Sequence, residues 1–83
     1  MDPAFIISRL AHQIRQLRIN RGLTQAELGR LARITRQKVI AIEQGNSSVG
    51  MVFYAQALAA LDCQLEVVPA AIPTLDEIQG IFD

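Results

Sequence analysis

At 83 residues the chain has room for one domain, and a domain of this size buries only about 60–65% of the surface its unfolded form exposes, so a partner subunit would widen a thin stability margin. Its 51% hydrophobic and 19% charged content places apolar surface at an interface, while no apolar run approaches the roughly 20 residues that cross a bilayer, and a single Cys63 and a single His12 exclude an internal disulfide and a Cys/His zinc cluster. The net charge is zero, which alone gives no reason to expect a nucleic-acid partner.

The opening MDPAF lacks the basic and apolar segments of a secretory signal, so a cytoplasmic location is expected. Asp2-Pro3 supplies an N-cap and a favourable first helical residue, and Phe5/Ile6, Leu10, Ile14 and Leu17 recur at helical spacing, which predicts a first helix over about 3–20. Gly22 is a left-handed stop, with Leu23 placed to fold back on the helix end. Thr24-Gln25-Ala26-Glu27 is a capping box that opens a short second helix, with Leu28, Leu31 and Ala32 expected inward. Thr35 is a further N-cap three residues after Ala32, so a third helix follows almost at once. Its core positions are Val39 and Ile42, and Gly45 ends it.

After the polar connector Asn46-Ser47-Ser48, residues 50–61 read as a buried fourth helix packing through Val52, Tyr54, Ala55, Leu58 and Leu61. Cys63-Gln-Leu-Glu-Val-Val68 then alternates toward β-formers and is closed by Pro69, which predicts one short strand. A lone strand has no partner in its own chain. Antiparallel pairing with the same strand of a second copy satisfies its backbone, with Leu61, Leu65 and Val67 at the dimer interface; the alternative is a disordered or helix-extending tail. Residues 69–73 read as an extended linker, and Thr74 to Glu77 forms another capping box before Leu75, Ile78, Ile81 and Phe82. That last segment is either a frayed terminus or an amphipathic docking peptide. The organisation expected is a domain over 1–69 with a tail over 70–83.

Charge follows the same division. All eight cations (Arg9, Arg15, Arg18, Arg21, Arg30, Arg33, Arg36 and Lys38) precede residue 46, where the acids are Asp2, Glu27 and Glu43, a balance of +5. The remainder has no cation and carries Asp62, Glu66, Asp76, Glu77 and Asp83, a balance of −5. A basic half and an acidic half point to two different partners.

Two short capped helices at 24–33 and 35–44, joined by a tight turn, constitute the element that lays its second helix in the DNA major groove. The stretch QAELGRLARITRQKVIAIEQG resembles the helix-turn-helix of the Xre/Cro family of phage-repressor-like regulators. The likeness includes the LTQ-x-EL opening, the apolar positions Leu28, Ile34, Val39 and Ile42, and the closing IEQG, and it covers about residues 10–61. Within that family, ALAALDCQLEVVP is similar to the segment of short HipB-like antitoxins in which the fourth helix runs into a leucine-valine-rich strand. The resemblance implies a mainly α, four- to five-helix phage-repressor-like domain with one C-terminal strand pairing across a homodimer. It also implies repression of its own operon and binding of a HipA-like kinase toxin. Two residues depart from the pattern: Arg33 stands where glycine is usual in the turn, and Gly29 where alanine is commoner.

Thr35 leaves Arg36, Gln37 and Lys38 in the first turn of the reading helix, the part that meets base edges in this docking mode. Arg36 has the planar fork that fits guanine O6 and N7, Gln37 fits adenine N6 and N7, and Lys38 reaches guanine or a phosphate. By resemblance the base-reading positions are Arg36, Gln37 and Ala41, the last against a thymine methyl, while Ile40 reads as packing. The resemblance also gives Gln25 a phosphate at the start of the second helix. Arg21, Arg33, Asn46 and Ser48 are further phosphate candidates, each with a solvated surface role as the alternative. An inverted-repeat operator in double-stranded DNA is then expected, with half-sites about one helical turn apart. With one histidine, one cysteine and no glycine-rich phosphate loop, neither a catalytic residue set nor a cofactor site is expected. Two rival readings remain at this level: a stand-alone repressor of the same family, and an interaction module that does not bind DNA.

Overall fold

The computed structural model describes residues 1–70. Four helices make up its regular structure: α1 (Pro3–Asn20), α2 (Gln25–Ala32), α3 (Arg36–Glu43) and α4 (Met51–Ala60). Three begin on the caps legible in the sequence. The Asp2 carboxylate accepts from the Ala4 amide at 2.9 Å, and Thr35 Oγ1 accepts from the Lys38 amide at 3.0 Å. In the box at α2, Thr24 Oγ1 accepts from the Glu27 amide at 3.0 Å while Glu27 Oε1 accepts from the Thr24 amide at 2.8 Å. Each cap satisfies helix-end donors that the helix itself leaves unpaired, a contribution of about 1 kcal/mol apiece.

All four helices end alike. The chain turns through a left-handed residue at Gly22, Arg33, Gly45 and Asp62, and the next amide donates back five residues: Leu23 to Arg18, Ile34 to Gly29, Asn46 to Ala41 and Cys63 to Leu58, at 2.8–3.1 Å. This is the Schellman closure, for which glycine is the unstrained residue. Arg33 adopts it with a side chain, at φ 60° and ψ 42°. Directly across the same turn, a Cβ on Gly29 would sit 2.9 Å from the Ile34 carbonyl oxygen. The two departures from the family pattern therefore occupy one tight turn, and it is Gly29 that makes room for the closure.

The helices enclose a core of Ile14, Leu28, Val39, Ile42, Tyr54, Ala57, Leu58 and Leu61. α2 packs on α3 and on α4, and α3 packs on α1 and on α4. Several expected packing residues face outward instead: Leu31, Val52, Phe5 and Ile6 are more than half exposed, and Ala55 is exposed as well. Periodicity identifies an apolar stripe but not its width. On helices of 8 and 10 residues, the core is filled by Leu28 and Ala32 from α2 and by Tyr54, Ala57 and Leu58 from α4.

The strand expected over 63–68 does not form within the chain, and no strand occurs among the described residues. A β-ladder needs a second strand, and none is offered here; Leu65 and Val68 are more than half exposed and Val67 is 98% exposed. Leu61 is corrected from interface to interior, being fully buried in its own core. Residues 74–82, expected as a short amphipathic segment, lie outside the described residues.

Candidate nucleic-acid interface

A charge pair between the last turn of α1 and the last residue of α3 positions α3. Arg18, in the last turn of α1, donates from Nε to Glu43 Oε2 at 2.7 Å and from Nη2 to Glu43 Oε1 at 3.0 Å. Its Nη1 donates to the Leu23 carbonyl at 2.8 Å, and Gln25 Nε2 donates to Glu43 Oε1 at 3.3 Å. The side chains are only 11% and 3% exposed, so the attraction acts in a medium that screens it weakly. The carboxylate thereby ties the C-terminal end of α3 to the end of α1 and the start of α2, and Arg18 extends the network to the α1–α2 loop. Arg18 was not singled out from the sequence. The available signal was its register, since it follows the buried Ala11 and Ile14 at i+7 and i+4.

With the rear end of α3 held and Val39 and Ile42 buried, the opposite side of the helix faces outward. Arg36 and Gln37 are exposed in the first turn, Ile40 and Ala41 are half-buried one turn on, and Gln44 is exposed at the end. Gln37, Ala41 and Gln44 share one helical row, and Arg36 lies beside it. Lys38 is not brought into this group: its Nζ lies 4.3 Å above the Phe53 ring of α4, a cation–π contact that turns the ammonium toward the α3–α4 flank.

Arg36 borders a second feature, a hollow of about 450 Å³ lined also by Arg15, Arg18, Leu23, Thr24, Gln25 and Ala26. It joins the start of α2, where free amides and the helix dipole favour an anion, to the first turn of α3. Arg15 is a cation here that sequence reasoning did not select; nothing distinguished it from the other arginines of α1.

The other phosphate candidates are dispersed. The Arg21 guanidinium is 3.9 Å from the Asp62 carboxylate, both well exposed, and Arg33 is exposed in the α2–α3 turn. Asn46 Oδ1 accepts from the Ser48 amide at 2.8 Å and the Ser48 hydroxyl at 2.6 Å, which binds these two side chains to each other after α3. Asn46 lines a separate, apolar hollow with Ile7, Leu10, Val49, Met51 and Tyr54. Its carbonyl accepts from the Tyr54 hydroxyl at 3.2 Å, and burial raises the Tyr54 pKa, so the phenol stays a donor. At the start of α2, the hydrogen bonds from the Thr24 amide and hydroxyl lower the Glu27 pKa and keep the cap charged.

Among the described residues no group of three or more His, Cys, Asp or Glu side chains converges as a metal site, and no helix is long and apolar enough to cross a membrane. Two capped helices closed on Gly29 and Arg33, the second presenting polar side chains from its first turn, define a helix-turn-helix domain of the DNA-binding class. The chain belongs to the helix-turn-helix domain family, whose model matches residues 9–71. A comparison with curated proteins gave no match.

Proposed function

We propose that the chain is a sequence-specific transcriptional regulator that binds an inverted repeat as a homodimer, with α3 in the major groove. The observation that carries this reading is the first turn of α3, where Arg36 and Gln37 are exposed directly after the Thr35 cap while Arg18 and Glu43 fix the far end of the helix. Arg36 and Gln37 read base edges and Ala41 meets a thymine methyl. Gln25 and Arg15 hold phosphates at the hollow beside them, and Lys38, Arg21 and Arg33 add phosphate contacts on the flanks.

A mobility-shift titration on DNA upstream of its own gene, repeated over a salt series, tests this. A specific complex whose affinity falls steeply with salt supports the regulator; equal affinity for unrelated DNA at every salt concentration contradicts it.

Within this reading we place the chain with HipB-like antitoxins, repressing its own operon and binding a kinase-like toxin. The support is the likeness of ALAALDCQLEVVP and the acidic second half, which suits a partner other than DNA. Co-expression with a kinase-like reading frame next to its gene tests the assignment. Co-purification of a stoichiometric complex supports it, and separate elution of the two proteins favours the stand-alone repressor. Dimerisation through paired 63–68 strands predicts that Val67→Pro shifts sedimentation toward the monomer, because proline removes a ladder donor.

A further inference from the structure

The first turn of α3 carries Arg36 and Lys38, and the fold treats the two cations differently. Arg36 is exposed and borders the hollow at the start of α2, whereas Lys38 is half-buried with its ammonium 4.3 Å above the Phe53 ring. No acidic residue lies in that turn, and neither ion pair among the described residues, Arg18–Glu43 or Arg21–Asp62, includes Lys38. Two positive charges at a helix start oppose the helix dipole. The ring face is thus the partner that draws the ammonium away from Arg36 and from the first-turn amides. The ring is the rigid member of the contact: Phe53 lies in the first turn of α4, its amide donates to the Gly50 carbonyl at 3.1 Å, and its side chain packs on the core.

We infer that Phe53 is a specificity-determining residue that acts through Lys38, holding its ammonium on the α3–α4 flank and out of base readout; the inference rests on the reading above, in which α3 lies in the major groove. Register alone leaves Lys38 two destinations. It follows Gln37 directly in the turn that meets base edges, and a flexible stem with three donors lets an ammonium reach either guanine O6 and N7 or a phosphate. Phe53 decides between them, because the ring attracts the ammonium toward α4 and thereby toward the DNA backbone. Arg36 and Gln37 then read bases without a third long donor beside them. An aliphatic residue at 53 would still fill the space over the core, but it has no π face to hold a cation. Phe53 is therefore a positioning residue, and its removal should alter which bases are preferred as well as how tightly DNA is bound.

Selection from a randomised double-stranded DNA library by the full chain, as wild type, Phe53→Leu, Lys38→Ala and the double variant, tests the inference. Phe53→Leu is expected to gain a preference for guanine of at least about threefold at one position per half-site where the wild type is indifferent. The gain should vanish in the double variant, and Phe53→Tyr, which restores a ring face, should restore the wild-type preferences. Lys38→Ala alone should keep every base preference and lower the salt slope by about one. Unchanged preferences in Phe53→Leu overturn the inference, as does an altered preference that persists without Lys38 or a wild-type preference lost in Lys38→Ala. If Phe53→Leu loses the helical circular dichroism, Phe53→Met takes its place. A measurement without DNA separates the contact from the regulator reading: the ring should shift the Lys38 ε-methylene proton resonances upfield in the free wild-type chain, and Phe53→Leu should abolish the shift. Absence of that shift in the wild type overturns the positioning role alone. A wild-type chain that shows the shift but enriches no sequence overturns the regulator reading and the specificity role with it.

Discussion

Arg18 and Glu43, 25 residues apart in sequence, meet in a two-pronged ion pair that is nearly buried. Arg18 also donates to the Leu23 carbonyl, and Glu43 also accepts from the Gln25 amide. No buried side-chain polar atom among the described residues is left without a partner. A buried pair of this kind is weak evidence for net stability, because desolvation offsets the attraction. Its consequence is positional, holding the end of α3 against the end of α1 and the start of α2.

Removing one partner should therefore differ sharply from removing both. Glu43→Ala is expected to cost roughly 3–5 kcal/mol, because it leaves Arg18 charged and buried, whereas Arg18→Met with Glu43→Leu should cost far less. Urea denaturation of the two single variants and the double variant measures the coupling. Additive losses would show that the pair does not act as a unit.

The α2–α3 turn yields two predictions of opposite sign. Arg33→Gly relieves a left-handed side chain worth about 1–2 kcal/mol and gives back up to ~1 kcal/mol in unfolded-chain entropy, for a net gain of about 0.5–1 kcal/mol. Gly29→Ala is expected to lose about 1 kcal/mol or more despite alanine's better helix propensity, since its Cβ would press on the Ile34 carbonyl. Midpoints of chemical denaturation check both signs.

Acid should weaken the α2 cap. Glu27 has a lowered pKa in the fold, so its contribution is complete above the unfolded value and is lost as pH falls through the lower folded value. Glu27→Gln keeps an acceptor for the Thr24 amide and should flatten that part of the curve of melting temperature against pH. An acid limb identical to that of the wild type would contradict the assignment.

Much of the fold was legible because the chain marks its own helix ends. Asp2-Pro3, the Thr24–Glu27 box, Thr35, Gly22 and Gly45 bounded three helices, and Val39 and Ile42 showed which side of α3 is inward. What escaped depended on tertiary placement. Nothing local shows that Arg18 turns in to Glu43, that Lys38 folds over Phe53, or that Leu31 and Val52 stay outside. The run 63–68 has a strand's pattern, but pattern supplies no second strand to pair with. At the site, the first-turn positions of Arg36 and Gln37 followed from cap and register and Gln25 from the family resemblance, whereas Arg15 enters only through the hollow it shares with Arg36 and Gln25.

The phosphate and base roles separate experimentally. Gln25→Ala should weaken binding to every duplex by a similar factor, because a phosphate carries no sequence information. Affinities for the operator and for a scrambled duplex check this, and a loss confined to the operator would contradict it.

The central claim is that the first turn of α3 reads bases, and titration of wild-type and Arg36→Ala chains against an operator and its single-base variants tests it most directly. Arg36→Ala is predicted to lose about 1–3 kcal/mol on the operator and to become indifferent to the base pair at one position per half-site, with preferences elsewhere intact. An Arg36→Ala chain that weakens equally on all duplexes and keeps every base preference would contradict the account.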